Sequence, residues 1–148
     1  ANALWMYLEN WPRELPVSIE FRHPDWFLGE QPHWSRLAEL GVGAVISDTA
    51  GRRDALHMQV TASHVLVRFG GYEGHEIDAH RLEQWGSWIN AFEARGGESF
   101  YLLVHERDSI HTPATCVAFA NRLNQGKRED CVVPSRENKL TKKQIGLF

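Results

Sequence analysis

The sequence predicts an α/β fold built on a parallel sheet, and two observations predict it. The first is the order of periodicities: a helical pattern, then four turns of strand followed by helix or loop, with strands expected near 17–22, 42–48, 64–69 and 99–105. Such alternation favours parallel strands joined by right-handed crossovers. The second is the stretch Pro16 to Phe27, PVSIEFRHPDWF. There Val17, Ile19 and Phe21 alternate with Ser18, Glu20 and Arg22, so one face is apolar and the other carries a carboxylate and a guanidinium. In a parallel sheet both faces are normally covered, so a charged face fits the inside or mouth of a barrel.

The elements follow in order. Leu4, Met6, Tyr7, Leu8 and Trp11 have helical spacing, and Pro12 ends that helix. Pro24 stops the key strand after His23. Pro32 suits a first helical turn, Trp34, Leu37, Ala38 and Leu40 form a stripe, and Gly41 is a stop signal. Val42 to Ser47 reads as a short buried strand ending at Asp48. Thr49 to Ala62 has no clean period and reads as a loop. His64 to Phe69 is a strand carrying Arg68 and ending at Gly70 and Gly71. Asp78 is expected to cap a helix running to about Arg95, with Leu82, Trp85, Trp88, Ile89 and Phe92 inward. Phe100 to Val104 is the fourth strand, finishing at His105 and Glu106. Thr112 and Pro113 open a last helix through Leu123.

The chain has 148 residues, 43% hydrophobic and 24% charged, enough for one core. Residues 1–125 are expected to form one domain and 126–148 a polar tail over its surface. The net charge of −3 provides no global basic field for nucleic acid, so any such contact would be local. Cys116 and Cys131 have no metal-like spacing, which suits a reducing cytoplasm. No apolar run of membrane length is present.

The motifs EFRHPDWF, AVISDTAGR and LVRFGG, and less strongly LLVHERDSIHTP, resemble the C-terminal half of the YecE-like family, the domain of unknown function numbered 72. The likeness runs from Trp5 to Leu123. It implies a TIM-barrel-like fold of about four β/α units, half of a (β/α)8 barrel. The sequence departs from the pattern in having Gly70 and Gly71 where a His-Gly pair is common, and it lacks the family's N-terminal half.

Polar residues gather at the ends of the four strands, where parallel α/β folds place ligand sites. Arg22 and Arg68 suit a phosphate or carboxylate, because guanidinium forks bind oxyanions with directed hydrogen bonds. Gly70 and Gly71 would let backbone approach the ligand. Glu20 or Asp48 would act as general base and His105 as general acid. His23 and Trp26 stand beside the strand, Trp26 as a surface on which a sugar or base could stack. The competing expectation makes Glu20, Arg22, Asp48 and Arg68 a structural ion-pair network. A divalent metal on Glu20, His23, Asp48 and His105 is a third, weaker reading, since no HxxH or HxH spacing supports it and the arginines would repel a cation. Two function classes stay open: a hydrolase or lyase acting on a phosphorylated or nucleic-acid-like substrate, and a non-catalytic anion- or partner-binding module.

Two partner expectations follow. Four strand and helix units leave two sheet edges and a charged face bare, so a homodimer or a separate N-terminal half is expected to complete them. The terminal QIGLF resembles the Gln-x-x-Leu-Phe peptide by which bacterial replication and repair proteins dock on the sliding clamp. That resemblance implies Gln144 at a pocket rim and Leu147 and Phe148 within the pocket; packing back on the barrel's outside is the alternative.

Overall fold

In the computed structural model, which describes residues 2–28, 33–52 and 55–125, every named strand pairs in parallel. Helix α1 (Asn2–Glu9) precedes strand β1 (Ser18–Ile19). A 3-10 turn (Pro24–Phe27) and helix α2 (His33–Leu40) lead to β2 (Gly43–Ala44) and β3 (Ile46–Thr49). Then come β4 (His64–Gly70), α3 (Glu76–Ala94), β5 (Ser99–His105), a 3-10 turn (Ser109–His111) and α4 (Thr112–Gln125). Strand β1 pairs with β2, and β3, β4 and β5 lie side by side in that order.

Only Val45 separates β2 from β3, and side chains of the segment before β4 satisfy the backbone at this break. Thr61 Oγ1 accepts from Ala44 N at 2.9 Å and donates to Val42 O at 2.7 Å, while a ring nitrogen of His57 lies 2.9 Å from Val45 O. Buried main-chain groups must find partners, and here hydroxyl and imidazole groups supply them.

The helices pack on one face. Trp5, Leu8, Trp34 and Leu37 of α1 and α2 meet Phe21, Val42 and Ala44. Leu82, Trp85, Ile89 and Phe92 of α3, with Phe119 of α4, cover Ile46, Val65, Val67 and Phe69. Side chains alternate along a strand, so Ala44, Ile46 and Asp48 share the helix side, and Ser47 and Arg68 point the other way. On that second face Tyr101 and Leu103 are each 54% exposed.

The strands thus fall where the periodicities place them, with the first reduced to its two paired residues. Asp78 is not the cap of α3. His75 is, its ring accepting from Ile77 N at 3.2 Å, and Asp78 is a buried residue of the first turn. Cys131 and the terminal Gln144, Leu147 and Phe148 lie outside the described residues. No helix among the described residues is long and apolar enough to cross a membrane.

Candidate functional site

Glu20 is the centre of the strand face opposite the helices. The register pairs Ser47 with Arg68 across β3 and β4, and the backbone bond from Val45 N to Ile19 O at 2.9 Å sets Glu20 beside them. Glu20 Oε1 accepts from Ser47 Oγ at 2.7 Å and from Arg68 Nε at 2.6 Å; Oε2 accepts from Arg22 Nη2 at 2.8 Å. Burial would push this carboxyl up. The hydrogen bonds from Arg22, Ser47 and Arg68, with the Arg68 charge, outweigh that and hold it at about 2, against an ordinary 4.5.

These residues open onto a cleft of about 240 Å³, lined also by Phe21, Thr49, Arg52 and Ala55. Among the described lining residues, the guanidinium groups of Arg22 and Arg68 both meet the Glu20 carboxylate. The side chains of Arg22 and Arg68 stay 71% and 31% exposed, so both remain within reach of a ligand while Glu20 holds them. Ser47 and Thr49 add hydroxyl groups. An ionised, triply bonded carboxylate orients arginines well and abstracts protons poorly, because its conjugate acid is too strong.

Asp48, the other base candidate, is not in the cleft. It is the next residue after Ser47 and therefore points to the helix side, where it is buried against α3. Trp85 Nε1 donates to its Oδ2 at 2.9 Å and Arg81 Nε at 3.3 Å. Arg81 continues to Gly70 O and Asp78 Oδ1, both at 2.9 Å, and its guanidinium lies 4.1 Å from the centre of the Phe69 ring. The structural ion-pair expectation thus holds for Glu20 with Arg22 and Arg68, whereas Asp48 is paired separately, with Arg81.

The remaining candidates disperse. His105 ends β5 opposite Gly70 and is exposed outside the cleft. His23 caps the 3-10 turn, its Nδ1 accepting from Asp25 N at 3.3 Å. Trp26 stacks on Phe21 with centroids 4.4 Å apart and meets Trp5 edge-on, a packing role. Gly70 and Gly71 leave room for protein rather than ligand. A Cβ on Gly70 would come within 3.0 Å of the Thr49 side chain, and one on Gly71 would overlap the Glu106 carboxylate. Glu106, only 1% exposed, accepts from Thr115 Oγ1 and from Glu73 N, tying the loops after β4 and β5 together. Glu20, His23, Asp48 and His105 do not converge, and no cluster of three or more potential metal ligands occurs among the described residues.

Arg52, Ser47 and Thr49 are cleft residues that the sequence reading missed. The alternation that marks Glu20 applies equally to Ser47 and Thr49 on β3, and was the available signal.

A mixed α/β chain whose parallel strands lie in two sheets, with helices packed on one side and a charged cleft on the other, defines the class. Within it, the chain belongs to the family described as protein of unknown function DUF72, whose family model matches residues 1–140. The crystal structure of a DUF72 family protein from Enterococcus faecalis V583 has a similar fold, with a TM-score of 0.61 at 14% identity. The match covers 83% of this chain and 51% of that one, so the chain spans about half the length of this relative. No curated protein matches it.

Proposed function

We propose that the chain is half of a (β/α)8-type barrel and that the cleft around Glu20 binds a small phosphorylated or carboxylated ligand. The observation that carries this reading is Glu20 bridging Arg68 and Arg22 at 2.6 and 2.8 Å, with both guanidinium groups still open to solvent. Pre-oriented arginines lose less freedom on binding an oxyanion, which favours directional recognition. Placement at the C-terminal ends of parallel strands agrees with the general position of ligand sites in such folds.

Binding is the better supported half of the enzyme-or-module alternative. A hydrolase or lyase acting on a phosphorylated or nucleic-acid-like substrate would use the same arginines, yet it needs a proton acceptor that Glu20, held at about 2, does not supply.

Calorimetric titration with inorganic phosphate tests the reading. Wild-type protein should bind, and Arg68→Ala should weaken binding about tenfold or more while keeping the far-ultraviolet circular dichroism, as expected for losing a charged hydrogen-bond donor. Equal affinity in the two proteins, or no binding by wild type, would overturn it.

A further inference from the structure

Arg81 is buried on the helix side of the strands, yet two of its hydrogen bonds go to main-chain oxygens of the strands that carry the cleft. Nη2 donates to Asp48 O at 2.7 Å and Nη1 to Gly70 O at 2.9 Å. Asp48 stands between Ser47 and Thr49 on β3, and Gly70 ends β4 two residues after Arg68. The register sets Ser47 against Arg68 and Thr49 against Gly70. One guanidinium therefore spans the C-terminal ends of two neighbouring strands. From those ends Ser47, Thr49 and Arg68 point to the opposite face and line the cleft.

The fork is itself held rigidly. Nε lies 3.3 Å from Asp48 Oδ2, Nη1 donates also to Asp78 Oδ1 at 2.9 Å, and the group sits 4.1 Å from the centre of the Phe69 ring. The strand it grips is only four residues long, and among the described residues β3 pairs with β4 alone. A planar guanidinium with its donors fixed relative to one another can lock the spacing of two carbonyl groups, which a flexible ammonium cannot.

We propose that Arg81 is a positioning residue for the anion cleft: by fixing the β3 and β4 ends relative to each other it keeps Ser47 and Arg68 on Glu20, and so sets the arginine geometry that an oxyanion meets. The inference rests on the cleft reading for its ligand, and on buried contacts alone for its mechanism. Ser47 Oγ and Arg68 Nε reach the same Glu20 oxygen, at 2.7 and 2.6 Å, from two different strands. A shift of one strand against the other lengthens one of those bonds, and binding constellations need support to within about 0.5 Å.

Arg81→Lys keeps a cation between Asp48 and Asp78 but removes the two-pronged grip. Carbon-13 NMR of the side-chain carboxyl groups should show Glu20 titrating at about 2 in wild type and closer to 4.5 in Arg81→Lys. Calorimetry should show inorganic phosphate binding the variant about threefold or more weakly, as for residues that act on a ligand through others. The double variant Arg81→Gln, Asp78→Asn strands no charge at position 78, keeps an acceptor for Tyr72 N and should give the same two results, so the test does not depend on one variant folding. Ile89→Val is the comparison: it lies on the same helix and in the same core, has no polar group to reach the strand ends, and should lower the urea midpoint while leaving both readouts at wild-type values. A Glu20 titration in both Arg81 variants that matches wild type, or one that moves equally in Ile89→Val, would overturn the positioning role. Phosphate that fails to bind wild type would overturn the cleft reading instead, and the carboxyl titration still decides the role of Arg81.

Discussion

Arg81 Nη2 lies 2.9 Å from Asp48 Oδ1 while donating its hydrogen bond to the Asp48 main-chain oxygen at 2.7 Å. One side chain of α3 thereby holds both the carboxylate and the backbone at the end of β3. The pair is buried, and Asp78 adds a second carboxylate to the same guanidinium at 2.9 Å. Replacing Arg81 with Met leaves two buried carboxylates without their cation, and removing one partner of a buried ion pair costs about 3–5 kcal/mol. Urea unfolding should show the unfolding free energy falling by that amount, through a lower midpoint at an unchanged slope. A loss under about 1 kcal/mol would show that the network contributes little to holding β3 on α3.

Glu20 predicts an acid dependence of known sign. Its folded value is depressed to about 2 from 4.5, so the unfolded chain takes up the proton first. The stability it contributes is complete above about 4.5, and falls as pH drops from there toward 2. Glu20→Gln keeps the shape, removes the titration and should flatten that part of the stability curve. Unfolding midpoints measured across this window in both proteins check it, and parallel curves would contradict the assignment.

The strand order and the charged face were legible because both are written in short-range periodicity. Glu20, Arg22 and Arg68 came out together for that reason: each lies at an alternate position of an apolar strand. Asp48 was misplaced by one residue of phase. A four-residue strand bordered by Val45 and Ala50 has too few alternations to say which face is which, and a shift of one residue moves every side chain to the other face. Arg81 was hidden because its helix carries the apolar stripe Leu82, Trp85 and Ile89, beside which a charge reads as solvated surface; only the three-residue spacing from Asp78 hinted at a pair. Gly70 and Gly71 were visible as glycines, but what fills the space beside them, Thr49 and Glu106, is decided by tertiary packing.

Gly71→Ala tests that last point. The added methyl overlaps the Glu106 carboxylate, which Thr115 Oγ1 and Glu73 N fix in place, so the strain cannot be relieved by rotation alone. A loss of about 1–3 kcal/mol is expected from such overpacking. In Gly71→Ala, Glu106→Ala the two costs should sum to less than additive, because the second change empties the space the first needs. Strict additivity in urea unfolding would mean that the two groups do not compete.

His33 and His57 carry a second, milder pH dependence. Both rings pack on Trp34, with centroids 4.2 and 4.6 Å away, and His57 also stacks on Phe27 at 6.0 Å. Burial lowers the value of each below the ordinary 6.5; for His57 the bond to Val45 O opposes this and the neighbouring His33 adds to it. His33 Nε2 is buried with no hydrogen-bond partner, so a proton there would gain a charge in an aromatic nest with nothing to receive it. As pH falls below 6.5 the unfolded chain protonates before the folded one, and stability present above that value is progressively lost. His33→Phe replaces the ring by an apolar one, and His57→Gln keeps a donor for the Val45 carbonyl. The double variant should therefore lose much of the difference in urea midpoint that wild type shows between about pH 7.5 and 5.5. If the wild-type midpoint does not fall across that interval, or falls equally in the double variant, the two buried imidazoles are not its source.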